Sequence, residues 1–305
     1  MSMRIPTVAA HRPDAPPRRT RRTFNALPYA MLLPSILIIG VIILYPFAVG
    51  VVYSLREGSL IRLEGFVGFQ NYIDLLSMSD FRHALRFSAI FAVTSVISSY
   101  TIGLGLALLL NREMPGRGFF RVALLLPWII PSIVSVASWR WMIADQNGIV
   151  NQALDLVGVG PIFFLSSEGW AMFSVILIKV WRSFPFMMVS CLAALQSIDQ
   201  VMYEAAKIDG ASRWQTFRDI TFPQIKGISV VMWILMTIWS VNDFETPWLL
   251  TQGGPSNATE NLIVLAYKYT FTRSDVGIGS AIAVVSMIIL MTLALLMLRR
   301  QEAEE

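Results

Sequence analysis

Long apolar runs dominate this chain and predict its architecture. A helix needs about 20 mostly apolar residues to cross the hydrocarbon core of a bilayer, and six stretches meet that requirement. They are Leu27–Leu55, Phe87–Leu110, Phe119–Ile143, Ala171–Leu195, Ile228–Leu250 and Val276–Leu298. Pro127 and Pro131 lie inside the third run, and each removes a backbone donor and can kink a helix. The pattern predicts an all-α, polytopic membrane protein with six transmembrane helices.

Composition agrees with this architecture and excludes several classes of function. The chain has 305 residues, of which 55% are hydrophobic and 14% are charged, whereas soluble domains average about 25% charged residues. Cys191 is the single cysteine and lies in an apolar run, so we expect a buried thiol without a disulfide. His11 and His83 lie outside the runs, and no Cys/His cluster in the sequence has the spacing of a metal site. We therefore expect no metal site in this chain.

The distribution of Lys and Arg predicts the orientation of the chain. Most of the basic residues that flank the runs lie in the N-terminal tail, the turn near Arg112, the loop 196–226 and the C-terminus. Cytoplasmic segments carry this excess, so both termini and that loop are predicted to be cytoplasmic. The rule also accounts for a pI near 9.4 without a nucleic-acid partner. We expect a disordered cytoplasmic tail over 1–26, a transmembrane domain over 27–300 and a short cytoplasmic tail over 301–305.

The loop 196–226, between the fourth and fifth runs, carries the strongest local signals. Gly210 suits the left-handed cap that ends a helix. Ser212 followed by Gln215 is a capping-box pattern that begins another helix. The loop is therefore predicted to form two short helices around a tight turn, which would present a rigid knob at the membrane surface. An ordinary amphipathic surface loop is the alternative.

The sequence of this loop resembles a family signature. Residues 204–211 read EAAKIDGA, with Ile220 and Pro223 downstream, and are similar to the E-A-A-x-x-D-G-A motif of binding-protein-dependent permeases in the ATP-binding-cassette (ABC) superfamily. Phe66–Tyr72 resembles the F-x-G-x-x-N-Y element of carbohydrate permeases, and Thr251–Pro255 resembles their T-x-G-G-P turn. The resemblance implies the type I importer fold, the sugar-importer branch of maltose or glycerol-phosphate type, and the bacterial cytoplasmic membrane.

The resemblance also implies a set of partners. A second homologous permease would complete the pore, a dimer of cytoplasmic ATPases would drive it, and an extracytoplasmic solute-binding protein would deliver the substrate. This chain has no G-x-x-x-x-G-K-[ST] segment, which is the motif that cradles nucleotide phosphates. We therefore expect ATP and Mg²⁺ to bind the partner ATPase, and this chain to be a pore subunit rather than an enzyme, without a cofactor of its own.

By the same resemblance, the knob docks on the ATPase and each residue of its motif has a role. Glu204 would meet a basic residue of the ATPase. Small side chains at Ala205, Ala206 and Ala211 would allow close packing. Asp209 would hold the turn through backbone N–H groups, and Gly210 would allow its geometry.

Charged residues in the fourth and fifth runs mark the candidate substrate pathway. Charges inside a span are costly and usually face a cavity or a partner. The candidate residues are Lys179, Arg182 and Phe186 on one face of the fourth span and Trp239, Ser240 and Asp243 on the fifth. In the family that the motif resembles, aromatic rings from these two spans stack on the sugar and polar groups bind its hydroxyls. Lys179 and Arg182 could bind an anionic group of the substrate, such as a sulfonate, phosphate or carboxylate. Alternatively, Lys179 pairs with Asp243 while Arg182 reaches the membrane interface, which would leave a neutral sugar as the substrate.

Two other classes of function are alternatives to an importer permease: a secondary transporter or channel, and a membrane enzyme. An ion-gradient-driven secondary transporter or a channel would also have six spans and a few buried charges, but it would not need the cytoplasmic knob. A membrane enzyme would need paired carboxylates or a Ser/His or Cys/His set at one depth. The positions of both histidines, outside the apolar runs, argue against the enzyme.

Overall fold

The computed structural model describes residues 27–302, with side chains from 31 to 299. The predicted tail 1–26 and the last residues, 303–305, lie outside the described part of the chain. The chain divides into two units, Met1–Phe47 and Ala48–Glu305.

A single helical run begins the described part. Helix α1 (Leu27–Ile39) leads through a π-helical segment (Gly40–Leu44) into α2 (Tyr45–Ser54). Nearly all side chains from Met31 to Phe47 are exposed although they are apolar. Such an exposed apolar surface requires an environment without water, as expected of a helix that spans a membrane.

The second unit is almost entirely helical. After α2 it contains a short antiparallel hairpin of strands β1 (Arg56–Gly58) and β2 (Leu63–Phe66), which the apolar pattern did not predict. The helices that follow are α3 (Gln70–Ser77), α4 (Ser79–Leu110), α5 (Arg117–Ile129), α6 (Ser132–Met142), α7 (Ile149–Leu156), α8 (Glu168–Gln196), α9 (Gln200–Ile208), α10 (Arg213–Thr216), α11 (Phe222–Val241), α12 (Glu245–Thr251), α13 (Leu262–Tyr267) and α14 (Val276–Glu302). Two π-helical segments, Phe217–Thr221 and Lys268–Thr272, precede α11 and follow α13.

Five helical runs in the described residues are long and apolar enough to cross a membrane, and a bent pair makes a sixth. The bent pair is α5 and α6, whose axes differ by 90°. The third predicted span is therefore not one continuous helix. Ile130 is extended, with φ −64° and ψ 130°, because the ring of Pro131 disfavours a helical conformation for the residue before it.

The packing of α4 against α8 forms the centre of the second unit. Met187 and Cys191 of α8 are fully buried and belong to one apolar cluster with Met236 of α11. The hydroxyl groups of Tyr100 and Ser229 are 2.7 Å apart and link α4 to α11. A second cluster joins α3, the start of α4, α13 and α14, and a third joins α4, α6, α8 and α12. The prediction that the thiol of Cys191 is buried is confirmed.

Gly103 sets the distance between α4 and α8. A Cβ atom at this position would lie 2.6 Å from Cβ of Met187 and 2.8 Å from the backbone nitrogen of Met188. Gly105, two residues along α4, has no atom within 4 Å of a Cβ added in the same way.

We predict that Gly103→Ala lowers the free energy of unfolding by about 1–3 kcal/mol, the usual cost of overpacking a close-packed interior. Thermal unfolding of the purified protein in detergent measures this effect. Gly105→Ala makes the same chemical change in open space and should leave the transition temperature nearly unchanged. Equal shifts for the two variants would contradict the close approach of α4 and α8 at Gly103.

Candidate functional site

A cavity of about 550 Å³ opens beside the break between α11 and α12. Its wall comes from the end of α5, from the middle of α8 and from the break itself. The lining residues are Trp128, Lys179, Arg182, Ser183, Trp239, Asn242, Asp243, Phe244 and Glu245. The cavity therefore collects four charged side chains and two indole rings in one place.

The break between α11 and α12 positions Asp243. Its carboxylate accepts hydrogen bonds from the backbone N–H of Thr246, with an N–O distance of 3.0 Å, and from the hydroxyl of Thr246 at 2.8 Å. Its carbonyl oxygen accepts a hydrogen bond of 2.7 Å from Nδ2 of Asn261. Side chains thus replace the helical hydrogen bonds that are lost where the helix stops, which is required of irregular backbone at membrane depth.

Asp243 also forms a buried ion pair with Lys179. Nζ of Lys179 lies 2.8 Å from Oδ2 of Asp243, and the two side chains are only 10% and 7% exposed. Nζ also donates to the carbonyl oxygen of Trp239 at 3.3 Å. The pair that the sequence offered as one alternative is present, and it ties α8 to the end of α11.

Arg182 lies one turn further along α8 and lines the same cavity. Its Nη1 donates to the hydroxyl of Thr246 at 3.1 Å, and its Nη2 lies 3.8 Å from Oε2 of Glu245. Glu245 is 55% exposed, so this pair is a weak one. Because each cation of the cavity faces one carboxylate, the four side chains have a formal net charge of zero.

Aromatic rings form one side of the cavity. The rings of Phe186 and Trp239 are 4.9 Å apart between centroids, and those of Trp128 and Phe186 are 6.2 Å apart. Trp128 and Trp239 remain about half exposed and line the cavity, while Phe186 packs between them. The arrangement offers flat apolar surfaces next to hydrogen-bonding groups of balanced charge, which suits a polar ligand that carries apolar faces.

The knob between α8 and α11 is built as the sequence predicted. Helix α9 ends in a Schellman motif, in which the N–H of Ala211 donates to the carbonyl of Ala206 and the N–H of Gly210 to that of Lys207. Gly210 has φ +77°, in the left-handed region that glycine tolerates. Helix α10 then begins at a complete capping box formed by Ser212 and Gln215. The two helices and their turn are therefore held by local hydrogen bonds.

A family model described as binding-protein-dependent transport system inner membrane component matches residues 99–303. The chain belongs to this family. It is 36% identical over 274 residues to the trehalose/maltose transport system permease protein MalF of Thermococcus litoralis, covering 90% of this chain and 92% of that protein. It is 33% identical over 272 residues to the sulfoquinovosyl glycerol transport system permease protein SmoG of Agrobacterium fabrum, covering 88% of each.

A solved structure has the same fold as this permease. It is a bacterial ABC transporter involved in the import of the acidic polysaccharide alginate, and a chain of it aligns with a TM-score of 0.81 at 23% identity. The alignment covers 91% of this permease and 95% of that chain. The predicted all-α, multi-pass membrane protein with the type I importer permease fold is confirmed, as is the family that the EAAKIDGA motif indicated.

The motif residues of the permease differ in exposure. Glu204, Ala205 and Asp209 are exposed, Ala211 is half-buried and Ala206 is only 7% exposed. The carboxylate of Asp209 accepts no hydrogen bond from any residue that the structure describes. The Schellman hydrogen bonds already satisfy the backbone groups at that turn, and the role of Asp209 in holding it stays a prediction.

The lining of the cavity differs in several positions from the sequence-based expectation, and Phe186 packs against the indole rings without lining it. Ser240 is fully buried, and within the described part of the permease its hydroxyl has no hydrogen-bond partner. It does not line the cavity, because a rotation of about 100° per helical residue turns it away from the face of Trp239. Trp128 lines the cavity but was not predicted; its position beside Pro127, at the end of α5, was the available signal.

We predict that Lys179→Met lowers the free energy of unfolding by about 3–5 kcal/mol, because it leaves the buried carboxylate of Asp243 without its cation. The double variant Lys179→Met/Asp243→Asn should recover most of that loss, since the Asn side chain still accepts from Thr246 and carries no charge. Thermal unfolding in detergent of the unmodified protein, of Lys179→Met, of Asp243→Asn and of the double variant forms the double-mutant cycle. Arg218→Met removes one partner of the exposed Arg218–Asp219 pair and should change the transition little. Additive effects of the single changes would contradict the pairing.

Proposed function

We propose that this permease forms half of the translocation pathway of an ATP-driven importer for sugars, together with a second homologous permease. The observation that carries the proposal is the cavity between α8 and the α11–α12 break, which combines indole faces with polar groups of balanced charge. Sugars have apolar faces of C–H groups and a rim of hydroxyls, so they match both kinds of surface. Its volume of about 550 Å³ lies in the range of small-molecule sites.

We further infer that the sugar is neutral. Lys179 is bound to Asp243 at 2.8 Å, and Arg182 faces Glu245, so no cation of the cavity lacks a carboxylate. An anionic substrate would have to compete with Asp243 for Lys179, and the loss of a buried pair is costly. The names of the relatives include trehalose and maltose as well as sulfoquinovosyl glycerol, so the charge of the sugar is inferred from this geometry.

We also propose that the knob couples the permease to a separate ATPase dimer, which binds ATP and Mg²⁺. The carboxylate of Glu204 is exposed and is paired with no described residue, and Ile208, one turn along the same helix, is 86% exposed. An exposed apolar side chain beside an unpaired charge is typical of a docking surface. Because α9 and α10 are closed by a Schellman motif and a capping box, the knob would transmit displacement as one rigid body.

The remaining partners follow from the same proposal. An extracytoplasmic solute-binding protein would deliver the sugar, as the family description implies for its members. The knob and both termini would be cytoplasmic, in agreement with the distribution of Lys and Arg. A secondary transporter driven by an ion gradient is the competing function, and it would have no use for an exposed docking knob.

We predict that Glu204→Lys abolishes the coupling between substrate and ATP hydrolysis. The importer would be reconstituted from this permease, its homologous partner, the ATPase and the binding protein, and its ATPase rate measured with and without loaded binding protein. Stimulation should fall by at least about tenfold in the variant, which corresponds to about 1.4 kcal/mol. Glu113→Lys makes the same change at another exposed position of the same membrane side and should retain stimulation. Transport that follows an ion gradient and ignores ATP would overturn the importer function.

A panel of sugars tests the inferred substrate charge in the same reconstituted system. We predict that a neutral sugar stimulates the ATPase best, and that Trp239→Ala raises the concentration needed for half-maximal transport by on the order of tenfold. Trp141→Ala removes an exposed indole outside the cavity and serves as the matched control. If a sulfonated or carboxylated sugar is the best stimulant and Lys179→Ala loses it selectively, the neutral substrate is excluded while the importer function stands.

A further inference from the structure

A second and larger cavity, of about 740 Å³, lies at the end of α8 that leads into the knob. Its wall includes Leu195, which is 13 residues beyond Arg182 and therefore about 20 Å farther along the helix. The other walls come from the last turn of α4 and from α9 and α10 of the knob. We call this cavity the basal groove.

The basal groove is lined by cations without carboxylate partners. Arg112, Lys207 and Arg213 contribute to its wall, and none of the three side chains forms an ion pair or a hydrogen bond with a residue that the structure describes. None of the lining residues in the described part of the chain is acidic. The groove therefore differs from the cavity beside the break between α11 and α12, hereafter the upper cavity, in which each cation faces a carboxylate.

The neighbouring turn adds more positive charge. With the amide of Gln196 oriented so that its oxygen faces α5, that oxygen accepts from Nη2 of Arg117 and from Nη2 of Arg121 at 2.8 Å each. The Nε atoms of both arginines are buried and have no partner among the described residues. Gln196 directly follows Leu195 in the sequence, and its one neutral oxygen is shared by two further guanidinium groups at this end of α8. Such a region attracts an anion.

Apolar and aromatic side chains complete the wall of the basal groove. Leu108 and Leu195 lie at the ends of two spans, and Trp214 and Phe217 stack with their ring centroids 5.7 Å apart. The ends of spans mark the level of the lipid headgroups, where Trp and Tyr are enriched. A small anion such as phosphate would not fill 740 Å³ or contact this apolar wall. The occupant that fits both surfaces is amphipathic and anionic.

We propose that the basal groove binds the headgroup of one anionic phospholipid from the leaflet on the knob side of the membrane. Arg112, Lys207 and Arg213 would surround the phosphate, and the first carbons of an acyl chain would lie against Leu108 and Leu195. Basic pockets between spans on the cytoplasmic side are known to take such headgroups. Because α9 and α10 supply two of the cations and the turn after α4 supplies the third, the lipid would tie the knob to the membrane domain. The proposal rests on the proposed orientation, but neither on the sugar nor on the coupling.

Binding of defined lipids to the purified, delipidated full chain tests the proposal. Native mass spectrometry would compare phosphatidylglycerol with phosphatidylcholine of the same acyl chains. We expect one phosphatidylglycerol per chain to be retained at concentrations at which phosphatidylcholine is lost. Arg112→Gln/Arg213→Gln should weaken that binding about 30-fold, which corresponds to about 2 kcal/mol for two cations near an anionic headgroup.

The controls separate the groove from general attraction to the membrane. Arg62→Gln/Arg299→Gln removes two exposed cations outside the groove and should leave phosphatidylglycerol binding unchanged. The thermal transition of each variant is measured to establish that it is folded. A third variant, Leu108→Ala, tests the apolar wall at a partly buried position without a change of charge and should weaken binding too. Equal retention of the two lipids, or equal losses for the two double variants, would overturn the proposal.

Two competition experiments identify the source of the anion. Inorganic phosphate or glycerol phosphate that displaces phosphatidylglycerol at matched concentration would mean that a free anion occupies the groove, and the lipid proposal would fall. Displacement of phosphatidylglycerol by the partner ATPase would assign the groove to an acidic protein segment and would overturn it as well. Retention of the lipid in both experiments supports the proposal.

Discussion

Every backbone polar group inside a bilayer must find a partner within the protein, and the candidate site depends on how this chain meets that constraint. Helix α11 stops at Val241, at membrane depth, and the freed groups near the break are bound by side chains. Thr246 donates to the carboxylate of Asp243, and Asn261 donates to its carbonyl oxygen. The same carboxylate then binds Lys179 of α8. Asp243 therefore has two roles: it takes part in the hydrogen bonds that stabilise the interrupted helix, and it supplies a charge to the cavity.

The two cavities of the permease differ in how their charges are arranged. In the upper cavity, opposite charges are paired between α8 and the α11–α12 break, so the site is polar but electrically balanced. In the basal groove, three cations line the wall, and none of the described lining residues is acidic. The balanced site suits the uncharged sugar that we propose as substrate, because it offers hydrogen bonds without a net charge. The groove suits the anionic headgroup that we propose for it.

Features that depend on nearby residues could be predicted from the sequence. The apolar runs predicted the spans, since each run carries its own signal over about 20 residues. Gly210 and the pair Ser212 and Gln215 predicted the turn and the capping box, because these motifs close within a few residues. The ion pair of Lys179 with Asp243 was among the alternatives, because few opposite charges share that depth.

Features that depend on tertiary packing could not be predicted. Pro131 indicated a break in the third span, but a proline does not set an angle of 90°; the neighbours of α5 and α6 do. That bend brings Trp128 to the cavity. Because the angle could not be predicted, the position of Trp128 could not be predicted either. Ser240 shares a sequence neighbourhood with Trp239, yet its face of α11 turns into the protein.

The close approach at Gly103 limits the motions that the spans can make. Met187 occupies the space that a side chain of α4 would fill. If α4 slid along α8 by one turn, about 5.4 Å, Ser99 or Ala107 would come opposite Met187, and both carry a Cβ atom that does not fit there. The packing at Gly103 therefore obstructs a one-turn slide of α4 along α8. A change in the relative positions of the spans is more easily accommodated where the helices are already interrupted, at the bend between α5 and α6 and at the break between α11 and α12.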